Sequence, residues 1–170
     1  MDLIPKIKQA FGWRPMPVEV VEGTSLLQLD SDVEEALWFA GRNWRDITWQ
    51  DWQQRRVALT FMSPDAFTYY LPSVLILSLK NPEETLAPAQ SSIWNLDRTP
   101  SIQALDRYLI DRFRELRTEE YEVLKEWLLQ LSDYVPYRGF GIAASGPGDV
   151  FGRAFDTLNL LQTETRQRHP

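Results

Sequence analysis

The sequence predicts an all-α fold, a single irregular domain of about six to eight helices, on three observations. Apolar residues recur at three- and four-residue spacing along most of the 170-residue chain. Helix-start chemistry stands ahead of these stripes: Ser31 with Glu34, Thr48 with Asp51, and Ser63 followed by Pro64. Period-two alternation marks only one place, where Val18 and Val20 flank Glu19. The chain is 44% hydrophobic and carries seven Trp, enough large side chains to fill one core. No linker composition and no internal repeat divides it. Residues 1–163 are read as one globular domain and 164–170 as a polar tail that frays.

Leu3, Ile7 and Phe11 form one face of a short first helix, which Gly12, Pro15 and Pro17 end. Residues 18–28 read as an extended segment. Asp30 and Ser31 open the next helix, with Val33, Leu37 and Trp38 on its apolar face and Gly41 as its C-cap. Thr48 and Asp51 launch a helix carrying Trp49, Trp52, Val57 and Phe61. In the stretch FMSPDAFTYYLP, Ser63 caps, Pro64 takes the first helical position and Asp65 meets the positive end of the helix dipole. Pro72 is expected to interrupt the backbone ladder before Val74 to Leu79 resume as helix. Residues 81–99, with Pro82, Pro88 and paired serines, read as a loop. Its length leads one to expect a short helical turn or a binding role within it. Thr99 and Pro100 start the clearest helix, with Ile102, Leu105, Leu109, Phe113 and Leu116 on one face. Thr118 caps its successor, striped by Tyr121, Leu124, Leu128 and Leu131, and the short joint between the two implies an antiparallel hairpin. A Gly-rich loop over 135–149 leads to Asp149, which caps a last helix burying Phe151, Phe155, Leu158 and Leu161.

Several chemistries are excluded. The chain has no cysteine, so disulfides, thiolate catalysis and zinc-thiolate sites are out, and a reducing cytosol fits. Its one histidine, His169, stands beside the C-terminal proline, where nothing holds it in reach of a partner. Asp30, Asp32, Glu34 and Glu35 cluster at one helix start, but capping and the dipole account for three of them and no Asp-x-Asp-x-Asp-Gly pattern is present. The segment RGFGIAASGPGDVFG, Arg138 to Gly152, looks like a phosphate loop. It lacks a preceding strand and a Lys–Ser/Thr ending, and Asp149 would repel a phosphate, so it reads as a connector. No cofactor and no metal is expected. Net charge −6 and a pI near 4.9 disfavour nucleic acid and anionic membrane surfaces. The N-terminus lacks the apolar core of a secretory signal, and no apolar run reaches the ~18 residues of a membrane span, so a cytoplasmic location is expected.

Recognition is what remains. Trp49 and Trp52 share a helix face and are assigned to the core, whereas Trp44 precedes that helix and is expected at the surface. Tyr69 and Tyr70 diverge by about 100° on a helix, so one is expected in the core and the other in a groove beside Pro72, with Asp65 nearby. Glu119, Glu120 and Glu122 make an acidic run suited to steering a basic partner. The first reading is therefore a protein-binding inhibitor that occludes a basic partner. The alternative is a small-molecule-binding or enzymatic helical domain, with Asp65 or Glu34 as acid/base beside Tyr69, Tyr70 and Pro72. An adaptor subunit, marked by a large exposed apolar patch, is the third.

The FMSPDAFTYYLP stretch resembles a segment of a family of small uncharacterised bacterial proteins, of the form aromatic–x–S/T–P–x–A/G–F–x–Y–Y–L–P after a Trp-containing helix. The likeness runs from Trp44 through Trp49 and Trp52 to Pro72, and TEEYEVLKEWL from Thr118 to Leu128 is similar too. Together these cover about a quarter of the chain, leaving out the N-terminal segment and residues 81–99. The resemblance implies a bacterial, cytosolic, mainly helical domain and brings no reaction and no catalytic residues. By analogy of size and character, such proteins look like immunity proteins of interbacterial toxin systems, whose partner would be a cognate toxin.

Overall fold

The computed structural model describes residues 2–23, 31–98, 105–134, 137 and 149–168. Among them are nine α-helices, one 3-10 turn and no strand. The helices are α1 (Leu3–Phe11), α2 (Ser31–Leu37), α3 (Trp49–Gln54), α4 (Ala58–Phe61), α5 (Pro64–Lys80), α6 (Ala87–Leu96), α7 (Arg107–Phe113), α8 (Thr118–Leu131) and α9 (Val150–Arg168), with the 3-10 turn at Trp44–Asp46. Buried side chains from Leu3 to Leu161 form one continuous core.

Helix α5 is the centre of the fold. The Ser63 hydroxyl accepts the Ala66 amide (3.2 Å) and donates to the Glu19 carbonyl (2.9 Å), while the Ser63 amide donates to Val20 (2.8 Å). The segment around Val20 is thus pinned to the start of α5 without forming a strand. Pro72 does not interrupt the helix, contrary to expectation: α5 runs through it to Lys80. Helices α1, α4, α6, α7 and α8 and the 3-10 turn all pack on α5. Pro72 itself is buried among them, and that enclosure outweighs one missing amide donor. An enclosed helix must satisfy its own polar groups. Trp52 Nε1–H donates to Ser73 Oγ (3.0 Å) and Trp127 Nε1–H to Ser78 Oγ (2.9 Å). The two serines pass their protons to the Tyr70 and Leu75 carbonyls.

Other elements depart from the sequence reading for local reasons. The helix launched at Thr48 divides into α3 and α4, because Arg55 leaves helical geometry (φ −127°, ψ 60°) and the Glu35 carboxylate accepts the Val57 amide (3.2 Å). The expected loop at 81–99 contains a ten-residue helix, α6, which carries Pro88 in its first turn and buries Ala89, Ile93 and Leu96 against α9, α4 and α5. The α7 helix begins only after Asp106, which caps the Leu109 amide (2.8 Å); Leu105 is buried outside it. Thr99, Pro100 and Ile102 lie outside the described residues. The hairpin of α7 and α8 is opened out: α7 rests on α5, while α8 rests on α1 and α9. The Tyr121 hydroxyl, donating to the Phe113 carbonyl (2.8 Å), still joins them. Asp149 caps α9 as expected, accepting the Phe151 amide (3.1 Å). Phe155 is only half-buried, and the helix continues through Arg168, into the segment expected to fray.

Two core phenols tie stability to pH. Burial, reinforced by the neighbouring Tyr69, pushes Tyr70 up to about 12, and burial pushes Tyr121 up to about 12. Tyr70 sits between the carbonyls of Phe39 and Arg42, which its single proton serves. A raised phenol favours the protonated folded state, so its contribution is complete below pH 10 and lost as pH climbs through about 12. Helical circular dichroism is expected to collapse in that window together with the rise of phenolate absorbance from these two residues.

Candidate groove between α1 and α8

The described surface holds a groove of about 510 Å³ between α1 and α8. One wall is Lys6, Gln9, Ala10 and Trp13; the other is Arg117, Thr118, Glu119, Glu122, Val123 and Glu126. Both walls follow from helical spacing. Residues 6, 9, 10 and 13 continue one side of α1, next to the face that buries Leu3, Ile7 and Phe11. Residues 119, 122, 123 and 126 do the same on α8, with Val123 at the buried edge.

A buried ion pair fixes one end of the groove. Arg14 Nε and Nη2 donate to the two Glu120 oxygens at 2.6 and 2.7 Å, and both side chains are withdrawn from solvent. Arg14 also donates to Thr68 Oγ1 (3.1 Å) and the Glu115 carbonyl (2.9 Å), and Glu120 accepts the Arg117 amide (2.7 Å). One guanidinium therefore ties the chain after α1 to α5 and to the α7–α8 joint. Above it Trp13 remains 43% exposed, held by the Arg117 guanidinium stacked 3.3 Å from its ring centre.

The carboxylates of the groove differ in commitment. Glu126 pairs with Lys6 across the groove (2.7 Å), with both side chains half exposed. Glu122 pairs with Lys125 (3.2 Å) and accepts from Gln162 (3.1 Å). Glu119 is exposed and has no partner among the described residues. Exposed carboxylates, an indole face and an apolar floor of Ala10 and Val123 are the groups that receive a lysine or arginine side chain.

Only part of the expected site is brought together. Glu119 and Glu122 line the groove, but Glu120 is completely buried and serves Arg14, so it is not a docking carboxylate. Trp44 is buried, not exposed: Asn43 caps the 3-10 turn by accepting the Arg45 amide (3.0 Å), and the turn rolls the indole onto α5. Tyr69 and Tyr70 are both buried, and Pro72 is buried with them, so neither ring is offered to a surface groove among the described residues. Asp65 and Glu34 are exposed and neither lines the α1–α8 groove. Asp30, the Gly-rich residues 138–148 and His169 lie outside the described residues. Among the described residues no group of three His, Cys, Asp or Glu is placed to hold a metal, and no helix is long and apolar enough to cross a membrane. The sequence reading missed Lys6, Trp13 and Arg117. The available signal was the continuation of the α1 spacing from 6 through 9 and 10 to 13.

Among known proteins, the chain matches over residues 2–136 the model of a family described as a family of unknown function (DUF6714). That span takes in both walls of the groove, and also the N-terminal helix and the 81–99 segment that the aromatic motif did not reach. No curated protein and no solved structure matches.

Proposed function

The chain belongs to this family of unknown function, DUF6714, and from that premise we propose a role drawn from the groove: a protein-binding inhibitor that seats a basic segment of a partner between α1 and α8. The observation that carries the reading is Glu119, exposed and unpaired among the described residues, set beside Glu122 and opposite the exposed Trp13 over an apolar floor. The net charge of −6 steers a basic surface toward the protein. A lysine or arginine of the partner meets Glu119 while its aliphatic stem lies on Val123 and Trp13. The ring needs little further ordering, because Arg117 already holds it. We take the partner to be a toxin domain and the mechanism to be occlusion of its working surface in the bacterial cytoplasm.

The test is to co-express the chain with each protein encoded beside its gene, and to measure host growth and affinity. A growth-inhibiting, basic neighbour is expected to be neutralised and bound. Glu119→Lys is expected to weaken that binding by roughly thirtyfold, and Trp13→Ala by a similar factor, with salt sensitivity reduced in the charge variant. Both residues are exposed and neither is ion-paired to a buried charge among the described residues, so the fold should survive. Variants that bind as tightly as the unaltered chain, or neighbours that neither inhibit growth nor bind, would overturn the reading.

A further inference from the structure

We infer that a second pocket, between α1, α5 and the 3-10 turn, binds a small organic phosphate. It encloses about 240 Å³. Three exposed cations, Lys8, Arg45 and Lys80, stand around a buried apolar wall of Trp44, Ile47 and Ile76. No carboxylate is among its lining residues, although acidic residues outnumber basic ones by 24 to 18 in the chain.

The distribution of the lysines gives the strongest argument. The chain has four. Lys6 and Lys125 each hold a glutamate, and the two that hold none among the described residues, Lys8 and Lys80, line this one pocket. Both stand in the last turn of their helices, where a cation complements the negative end of the dipole. That accounts for each lysine singly, but not for Arg45, which belongs to the 3-10 turn. Arg45 lies 4.4 Å over the Trp44 ring and donates to the Gly12 carbonyl (3.3 Å), so its guanidinium is oriented before any ligand arrives. Three like charges around so small a volume repel one another, and a dianion relieves that repulsion while taking charge-assisted hydrogen bonds from all three.

The chemical class follows from size and wall. The volume lies below the range of about 300–1,000 Å³ typical of drug-sized ligands, which suits a phosphomonoester of small body over a nucleotide. The indole and the two isoleucines receive that body. Lys6 and Lys8 point about 200° apart on α1, so this pocket and the α1–α8 groove use different sides of the helix and the two readings stand or fall separately.

The experiment is a nuclear magnetic resonance titration of the full chain with phenyl phosphate and, separately, with inorganic phosphate. Phenyl phosphate is expected to shift the Trp44 indole and Arg45 guanidinium signals saturably, and to bind roughly tenfold more tightly than inorganic phosphate. Arg45→Gln and Lys80→Gln, both at exposed positions, are each expected to weaken phenyl phosphate roughly tenfold while spectra elsewhere stay unchanged. Shifts that never saturate and spread over the other surface arginines, or variants that bind like the unaltered chain, would overturn the site. Equal affinity for the two probes would overturn the role given to the apolar wall.

Discussion

Glu120→Ala is expected to lower the free energy of unfolding by about 3–5 kcal/mol. The carboxylate is completely buried and accepts from Arg14 twice and from the Arg117 amide once. Its removal leaves a guanidinium with only 9% of its side chain exposed facing no counter-charge. The cost is that stranded charge, not the intrinsic worth of the pair. Removing both partners, with Arg14→Met and Glu120→Leu together, is therefore expected to recover much of the loss. Urea unfolding of the single and double variants checks this, with the midpoint falling in the first and returning in the second. Glu119→Ala, one position away and exposed, is expected to change stability by less than about 0.5 kcal/mol.

Trp127→Ala should cost about as much, roughly 3–5 kcal/mol, by a different route. The indole is fully buried on α8, and its N–H reaches into α5 to donate to Ser78 Oγ. Truncation opens a cavity and removes the one polar link between those two helices at that point. The two contributions separate cleanly. Ser78→Ala keeps the indole and deletes only its acceptor, leaving a buried N–H unsatisfied, so about 1–3 kcal/mol is expected. The same comparison on the other side of α5, Trp52→Ala against Ser73→Ala, is expected to repeat the ratio, because Ser73 accepts from Trp52 in the same way. Thermal unfolding of the four variants checks both pairs.

What could be read in the sequence was whatever local chemistry decides. The stripes of α1 and α8 and the caps at Thr48, Ser63 and Asp149 depend only on neighbours a few residues away, and they stand where the pattern put them. What could not be read was decided by distant residues. Glu119 and Glu120 look alike in sequence, and only Arg14, 106 positions earlier, turns the second inward. Pro72 of α5 looks like a breaker because the packing that retains the helix comes from α1, α4, α6, α7 and α8. Tyr69 and Tyr70 are an exception. From Ala66 to Leu79 no charged residue interrupts α5, and an all-round apolar run is itself the mark of an enclosed helix, so both rings belonged inside.

That enclosure carries a consequence for how the chain is made. Synthesis exposes α5 before α6, α7 and α8, three of the elements that cover it, and Leu131, the end of α8, is made 51 residues after Lys80. At ~5–20 residues per second the seventeen-residue apolar helix waits roughly three to ten seconds for α8, with α1, α4 and the 3-10 turn already made. A translation pause between α5 and α8 would lengthen the exposure and lower the yield of native protein without altering a single residue of it.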